Sequence, residues 1–154
     1  MNIESIADHL DLLTTIGQWH WDEWGHADPK GNVDTWIEGL RQRTLRDQIP
    51  TTYVALSTQG ELFGSVTLVD CDMDTHRELT PWLAGLYVHP DFRAQGIGSK
   101  LVNHAIEKVR HMGNSQLFLY TSSATGLYSG LGWQIIGEEF YEGEEVSIMV
   151  FYLA

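Results

Sequence analysis

The 154-residue chain has a single cysteine, Cys71, which excludes an internal disulfide framework and gives no sign of an oxidising compartment. No helix start or positive neighbour is placed to lower its pKa, so Cys71 reads as a small packed residue rather than a nucleophile. Positive charge is scarce as well: nine Lys and Arg stand against 21 Asp and Glu, a formal net charge of −12. Nucleic acid and anionic membrane would be repelled, so neither is an expected partner. Long apolar runs are missing, which argues against a bilayer-spanning segment. The opening MNIESIADHLDLL carries acids where a signal peptide would carry a basic region. A soluble, cytoplasmic protein is therefore expected. With 43% hydrophobic residues the chain can fill one core and is short for two, so residues 1–154 read as a single domain.

Periodicity divides the chain into elements. Asn2 to Ile6 reads as a short strand, and Asp8 as the cap of an amphipathic helix running to about Trp24 on Ile6, Leu10, Leu13 and Ile16. Within it, Trp19, Trp21 and Trp24 accompany His20, Asp22 and Glu23. Such indoles usually serve packing, although their faces would also attract a cation. A second helix is expected from Val33 to about Asp47, with Trp36, Ile37, Leu40 and Leu45 inward and Arg41, Arg43 and Arg46 outward. From Thr51 the period becomes that of strands: a hairpin around Gly60, then Leu62 to Val69. Asp70 to Thr80 is a polar loop with four acids that lacks the glycine and distal glutamate of a calcium loop, so no metal is expected. Trp82 to Val88 is the next strand, with Gly85 marking a bulge or a close backbone approach.

The most informative stretch runs from Leu86 to Met112. Leu86-Tyr87-Val88 ends the strand, Pro90 stops it, and Gly96 and Gly98 permit a turn that side chains would obstruct. Leu101, Val102, Ala105, Ile106, Val109 and Met112 then recur at helical spacing, so a helix begins inside the glycine loop. The first N–H groups of a helix lack intrahelical partners and sit at the positive end of its dipole, which suits a phosphate. Arg93 and Lys100 bracket the loop with positive charge. The spacing is wrong for a nucleotide P-loop, because Ser99-Lys100 follow the second glycine in the wrong order. It is wrong for the dinucleotide fingerprint too, whose third glycine would fall at Leu101. After the helix, Gln116 to Tyr120 should pair parallel with Trp82 to Val88, since a helix joins them. A short helix near Leu127 and two strands, about Gln134 to Phe140 and Val146 to Leu153, complete the chain.

Arg93-Ala94-Gln95-Gly96-Ile97-Gly98 resembles the R/Q-x-x-G-x-G/A signature of the GNAT N-acetyltransferase superfamily. Ala124, Leu127, Tyr128, Gly132 and Trp133 independently fill the A-x-x-L-Y-x-x-x-G-F/W pattern that its members carry further on. The resemblance covers roughly Tyr53 to Leu153. It implies an α/β fold with a mixed, mostly antiparallel twisted sheet, flanking helices and two central parallel strands that splay apart. It also implies acetyl-CoA as co-substrate and direct transfer to a primary amine in a ternary complex. By the same similarity pantetheine would run along Leu86, Tyr87 and Val88. The pyrophosphate would lie on amides from Gln95 to Ser99, flanked by Arg93, Ala94 and Lys100. Tyr128 would face the sulfur as the proton donor, with Ala124 and Thr121 bordering the cofactor.

Two positions depart from the pattern. Thr121 stands where many relatives have asparagine, and Trp82 about where some have a glutamate base. The base is therefore unassigned among Glu78, Asp74, His20 and Glu23. A small cationic amine is the expected acceptor, held by acids from Asp70 to Glu78 and by the Trp19 to Trp24 segment. Acetylation of a protein N-terminus, a CoA-binding module without catalysis and a phosphate-ligand sensor are the alternatives, and homodimer formation is left open.

Overall fold

The structure, a computed structural model, describes residues 1–153. It contains a seven-stranded sheet in the order β1-β2-β3-β4-β5-β7-β6. The strands are β1 (Asn2–Ser5), β2 (Thr51–Leu56), β3 (Leu62–Val69), β4 (Trp82–Val88), β5 (Gln116–Thr121), β6 (Gln134–Tyr141) and β7 (Glu144–Tyr152). Four α-helices accompany them: α1 (Leu13–Trp24), α2 (Val33–Arg41), α3 (Ile97–His111) and α4 (Thr125–Gly130). Only β4 and β5 run parallel, as the α3 crossover requires; all other neighbours are antiparallel. This is the mixed, mostly antiparallel α/β architecture expected from the sequence.

Helices cover both faces of the sheet, which is why Thr51–Leu56 is buried along its whole length instead of alternating. On one face, α3 sets Leu101, Val102, Ala105, Ile106 and Val109 against Tyr53, Val66, Leu68, Leu83 and Leu119. On the other, Met73, Trp82, Phe118, Val146, Ile148 and Val150 form a second cluster, while Ile6, Leu13, Ile16 and Leu40 pack on Val54 and Leu56. Among the described residues no helix is long and apolar enough to cross a membrane.

The N-terminal third departs from the expected boundaries. Asp8 caps no α-helix. Ser5 accepts from the Ala7 N–H to start a 3₁₀ turn, a second turn covers Leu10–Leu12, and α1 begins only at Leu13. Asp8 instead pairs with the Arg46 guanidinium. Helix α2 starts as expected, in a capping box in which Asn32 accepts from Thr35 N–H at 3.0 Å and Asn32 N–H donates to the Thr35 hydroxyl at 2.9 Å. It stops at Arg41, six residues early. There the Thr44 hydroxyl donates to the Arg41 carbonyl and the Thr52 hydroxyl to that of Arg43, so side chains take up carbonyls that further helix would have used. Leu45 is consequently exposed rather than inward, and Arg43 is half-buried rather than outward.

Candidate active site

Strands β4 and β5 pair at Trp82 and Phe118 and then diverge. Beyond that point β4 remains bonded to β3, while its other edge meets no neighbouring strand. The register between β3 and β4 slips at Ser65/Thr67, opposite Gly85, whose φ of +58° is open to glycine and strained for other residues. Gly85 is thus the expected bulge. It also permits close approach: a Cβ there would lie 3.3 Å from the Thr67 hydroxyl oxygen and 3.4 Å from His20 Cε1.

The divergence opens a cleft of about 470 Å³. Leu86, Tyr87 and Val88 line one side; Arg93, Ala94, Gly96, Ile97, Gly98 and Ser99 form its end; Ala124, Leu127 and Tyr128 close it from α4. Gln95, Lys100 and Thr121 are not among its lining residues. Thr121 works locally, its hydroxyl accepting from the Ala124 N–H at 3.0 Å as the chain turns into α4. Glu23 and Trp24 also reach this cleft from α1, so the end of the Trp19 to Trp24 segment expected at the acceptor borders it.

The loop before α3 has the shape an anion requires. Ala94 and Gly96 adopt φ of +62° and +80°, which turns successive N–H groups toward one side. Ile97, Gly98 and Ser99 form the first turn of a 15-residue helix, and their N–H groups have no intrahelical acceptors. A Cβ at Gly98 would touch only Val88 Cγ2 at 3.8 Å, so the space above the loop is free for a ligand. Arg93 donates from Nε to the Val88 carbonyl at 2.8 Å, and its guanidinium carbon sits 5.5 Å from the Tyr87 ring centroid. The terminal nitrogens remain available at the mouth of the loop. These residues fit a pyrophosphate.

Tyr128 is 7% exposed and packs edge-on against Trp133 at 5.9 Å. Burial pushes its phenol up to about 12, so it keeps its proton at neutral pH and has one to give. On the opposite face of the sheet, His20 bonds through Nε2 to the Ser65 hydroxyl at 3.1 Å and stacks near Trp24 and Tyr87. Burial lowers its pKa to about 4, the nearby Arg43 charge lowering it further, so the ring is neutral. The three indoles do not form one cage. Trp19 and Trp24 flank Tyr87, whereas Trp21 turns to Trp36, which donates from Nε1 to Asp28.

The Asp70 to Thr80 loop is fastened to the sheet. His76 bonds Glu78 through Nδ1 at 3.1 Å and Glu139 through Nε2, the Tyr141 hydroxyl donates to Asp74 at 3.2 Å, and Trp82 Nε1 donates to the Leu79 carbonyl at 2.6 Å. Both carboxylates raise the His76 pKa, Glu139 the more.

Residues 13–133 match the Acetyltransferase (GNAT) family. The chain belongs to that family. It is 34% identical to human N-acetyltransferase 8B over 88 residues, covering 54% of this chain and 39% of that protein. The curated relatives it matches are longer, and the aligned part spans 39–53% of their length. Among solved structures, an aminoglycoside 6'-N-acetyltransferase complexed with coenzyme A superposes with a TM-score of 0.80 at 18% identity, over 100% of this chain and 98% of that one. A spermidine N-acetyltransferase chimera from Vibrio cholerae and the human enzyme gives 0.74 at 18% identity, over 99% and 96%. Such distant identities establish the fold this GNAT chain shares with them.

Proposed function

We propose that residues 1–154 act as one acetyltransferase domain that moves an acetyl group from acetyl-CoA to the primary amine of a small cationic molecule. The observation that carries this reading is the meeting, in one cleft, of a helix-opening glycine loop, an unpaired strand edge and a buried protonated tyrosine. Acetyl-CoA supplies the activated acetyl group as a thioester. The chain's residues do the rest. Amides of Ile97 to Ser99 and the Arg93 side chain hold the pyrophosphate, and the free edge of Leu86 to Val88 pairs with the amide-rich pantetheine arm as an added strand would. A β4 N–H near the bulge is the donor for the oxyanion. Tyr128 hands its proton to the departing sulfur. The burial that raises the phenol from its reference value of about 10 also disfavours a thiolate and raises the thiol from about 8.5, which offsets the rise in the phenol.

A cationic acceptor is supported by the net charge of −12, by the acids of the β3–β4 loop and by the Trp19 and Trp24 faces beside Tyr87. Aminoglycosides and spermidine, named for two structural neighbours, are amines of this kind. The test is acetyl-CoA-dependent thiol release across a panel of polyamines, aminoglycosides, neutral amines and peptide N-termini. Cationic small amines should give the highest kcat/KM, with attraction that weakens as salt rises. Preference for peptide N-termini would move the acceptor to proteins.

A further inference from the structure

Most of the groups that could take a proton on the acceptor side of the cleft are already engaged. Glu78 and Glu139 are engaged by His76, and Asp74 by the Tyr141 hydroxyl. His20 is held by Ser65 and is too weak a base once burial has depressed it. Glu23 lies in the cofactor cleft. Asp72 is different. It follows Cys71, whose Sγ donates to the Met73 carbonyl, and precedes Met73, which is fully buried against Trp82 and Phe118. Its position is therefore fixed from both sides. Its carboxyl is partly buried, lies close enough to Tyr120 of β5 for its charge to raise that phenol, and has no hydrogen-bond partner among the described residues. Tyr120 itself lies two residues past Phe118, where β5 has already parted from β4.

We propose that Asp72 is the general base of the reaction, receiving the acceptor's proton on the face of the β4–β5 opening opposite Tyr128. This rests on the acetyltransferase reading above and deepens it. The acceptor arrives as an ammonium ion and gives one proton to the Asp72 carboxylate. Its freed electron pair forms the C–N bond to the acetyl carbon as the C–S bond breaks. The sulfur takes the Tyr128 proton, and the second proton of the new amide nitrogen returns to the tyrosyl oxygen through solvent. Asp72 then releases its proton to water. The sum is ammonium plus thioester giving amide, thiol and one proton.

The charges from other elements that act on Asp72 are Arg43, beyond α2, and Glu142, in the β6–β7 turn; Tyr120, close by on β5, is uncharged. Burial is the main effect and raises the carboxyl to about 7, Arg43 lowering it and Glu142 raising it. A base with that value is half-charged at neutral pH, close to the optimum for accepting a proton there.

The test is the pH profile of kcat/KM with spermidine and kanamycin for wild type, Asp72→Asn and Asp72→Glu, together with calorimetry of CoA. Wild type should show an ascending limb near neutrality. Asp72→Asn should lose that limb and fall at least about 100-fold while binding CoA as wild type does, and Asp72→Glu should recover part of the rate. Trifluoroethylamine, uncharged at neutral pH, should suffer much less from Asp72→Asn, which separates proton removal from charge recognition. Arg43→Met should move the limb to higher pH and Glu142→Gln to lower pH, and these variants decide the matter should Asp72→Asn fold poorly. An Asp72→Asn enzyme with its limb and rate intact, or a limb that neither neighbour moves, overturns the assignment and leaves the acetyltransferase reading standing. No turnover by wild type on any amine overturns both.

Discussion

A carboxyl kept partly buried and unpaired for chemistry should weaken the fold, and Asp72→Asn should therefore make the protein more stable. Burial raises this group from 3.8 to about 7. Below about pH 4 it is protonated whether the chain is folded or not, and no penalty arises. As pH climbs from there the unfolded chain ionises first, so the native state loses ground until pH 7 and the penalty is constant above it. At about 1.4 kcal/mol per pH unit the ceiling is about 4 kcal/mol. Asp72 keeps part of its surface in contact with water, so we expect about 1–3 kcal/mol, or a rise in Tm of roughly 3–9 °C for a chain of this size. Thermal unfolding at half-unit steps from pH 5 to 8 measures it. The variant's advantage should grow from pH 5 to 7 and then level off. Equal stability at pH 8, or an advantage independent of pH, would show that Asp72 is not held partly buried and unpaired.

Tyr128→Phe removes one hydroxyl and little volume, so CoA affinity should stay within a few-fold while turnover falls roughly ten- to ten-thousand-fold when measured where chemistry limits the rate. Unchanged turnover would reassign Tyr128 to packing. His76→Gln should lower Tm at pH 6 and have little effect at pH 9: a histidine whose folded pKa is raised by Glu139 and Glu78 contributes fully below its ordinary value and loses that contribution as pH passes its folded one. An equal loss at both values would mean that the ring acts there only through neutral hydrogen bonds. Raising salt should lower kcat/KM for spermidine more than for a neutral amine, and a matched decline would remove long-range field from the account.

Strand and helix periods were plain where one element met one environment. Leu62–Val69 and Trp82–Val88 have the limits read from the sequence, and α3 begins at Ile97 and ends one residue before Met112. Motif spacing brought most of the cleft lining together, because the glycine loop, β4 and α4 are each local patterns. The misreadings lie where distant segments decide. Asp8 looks like a cap until Arg46, 38 residues away, claims its carboxyl. Arg43 looks outward until Thr52 takes up its carbonyl beyond the helix end and the side chain is left half-buried, near enough for its charge to lower the pKa of His20 and of Asp72. Asp72 was one acid among four, and only the burial of Met73 and the partners of Asp74 and Glu78 set it apart. The indole cluster divided because Trp19 and Trp24, five residues apart on α1, meet Tyr87 while Trp21 between them meets Trp36 of α2.

The central claim, a CoA-dependent acetyltransferase built on the α3 glycine loop, is tested most directly by titrating CoA into wild type and Gly98→Asp in a calorimeter. The loop has room for the new side chain, whose Cβ meets only Val88 at 3.8 Å, and an acid in the first turn of a helix favours folding. The variant should thus unfold at or slightly above the wild-type temperature and yet bind no CoA, since its carboxylate occupies and repels the phosphate position. CoA binding at wild-type affinity in folded Gly98→Asp would contradict the account.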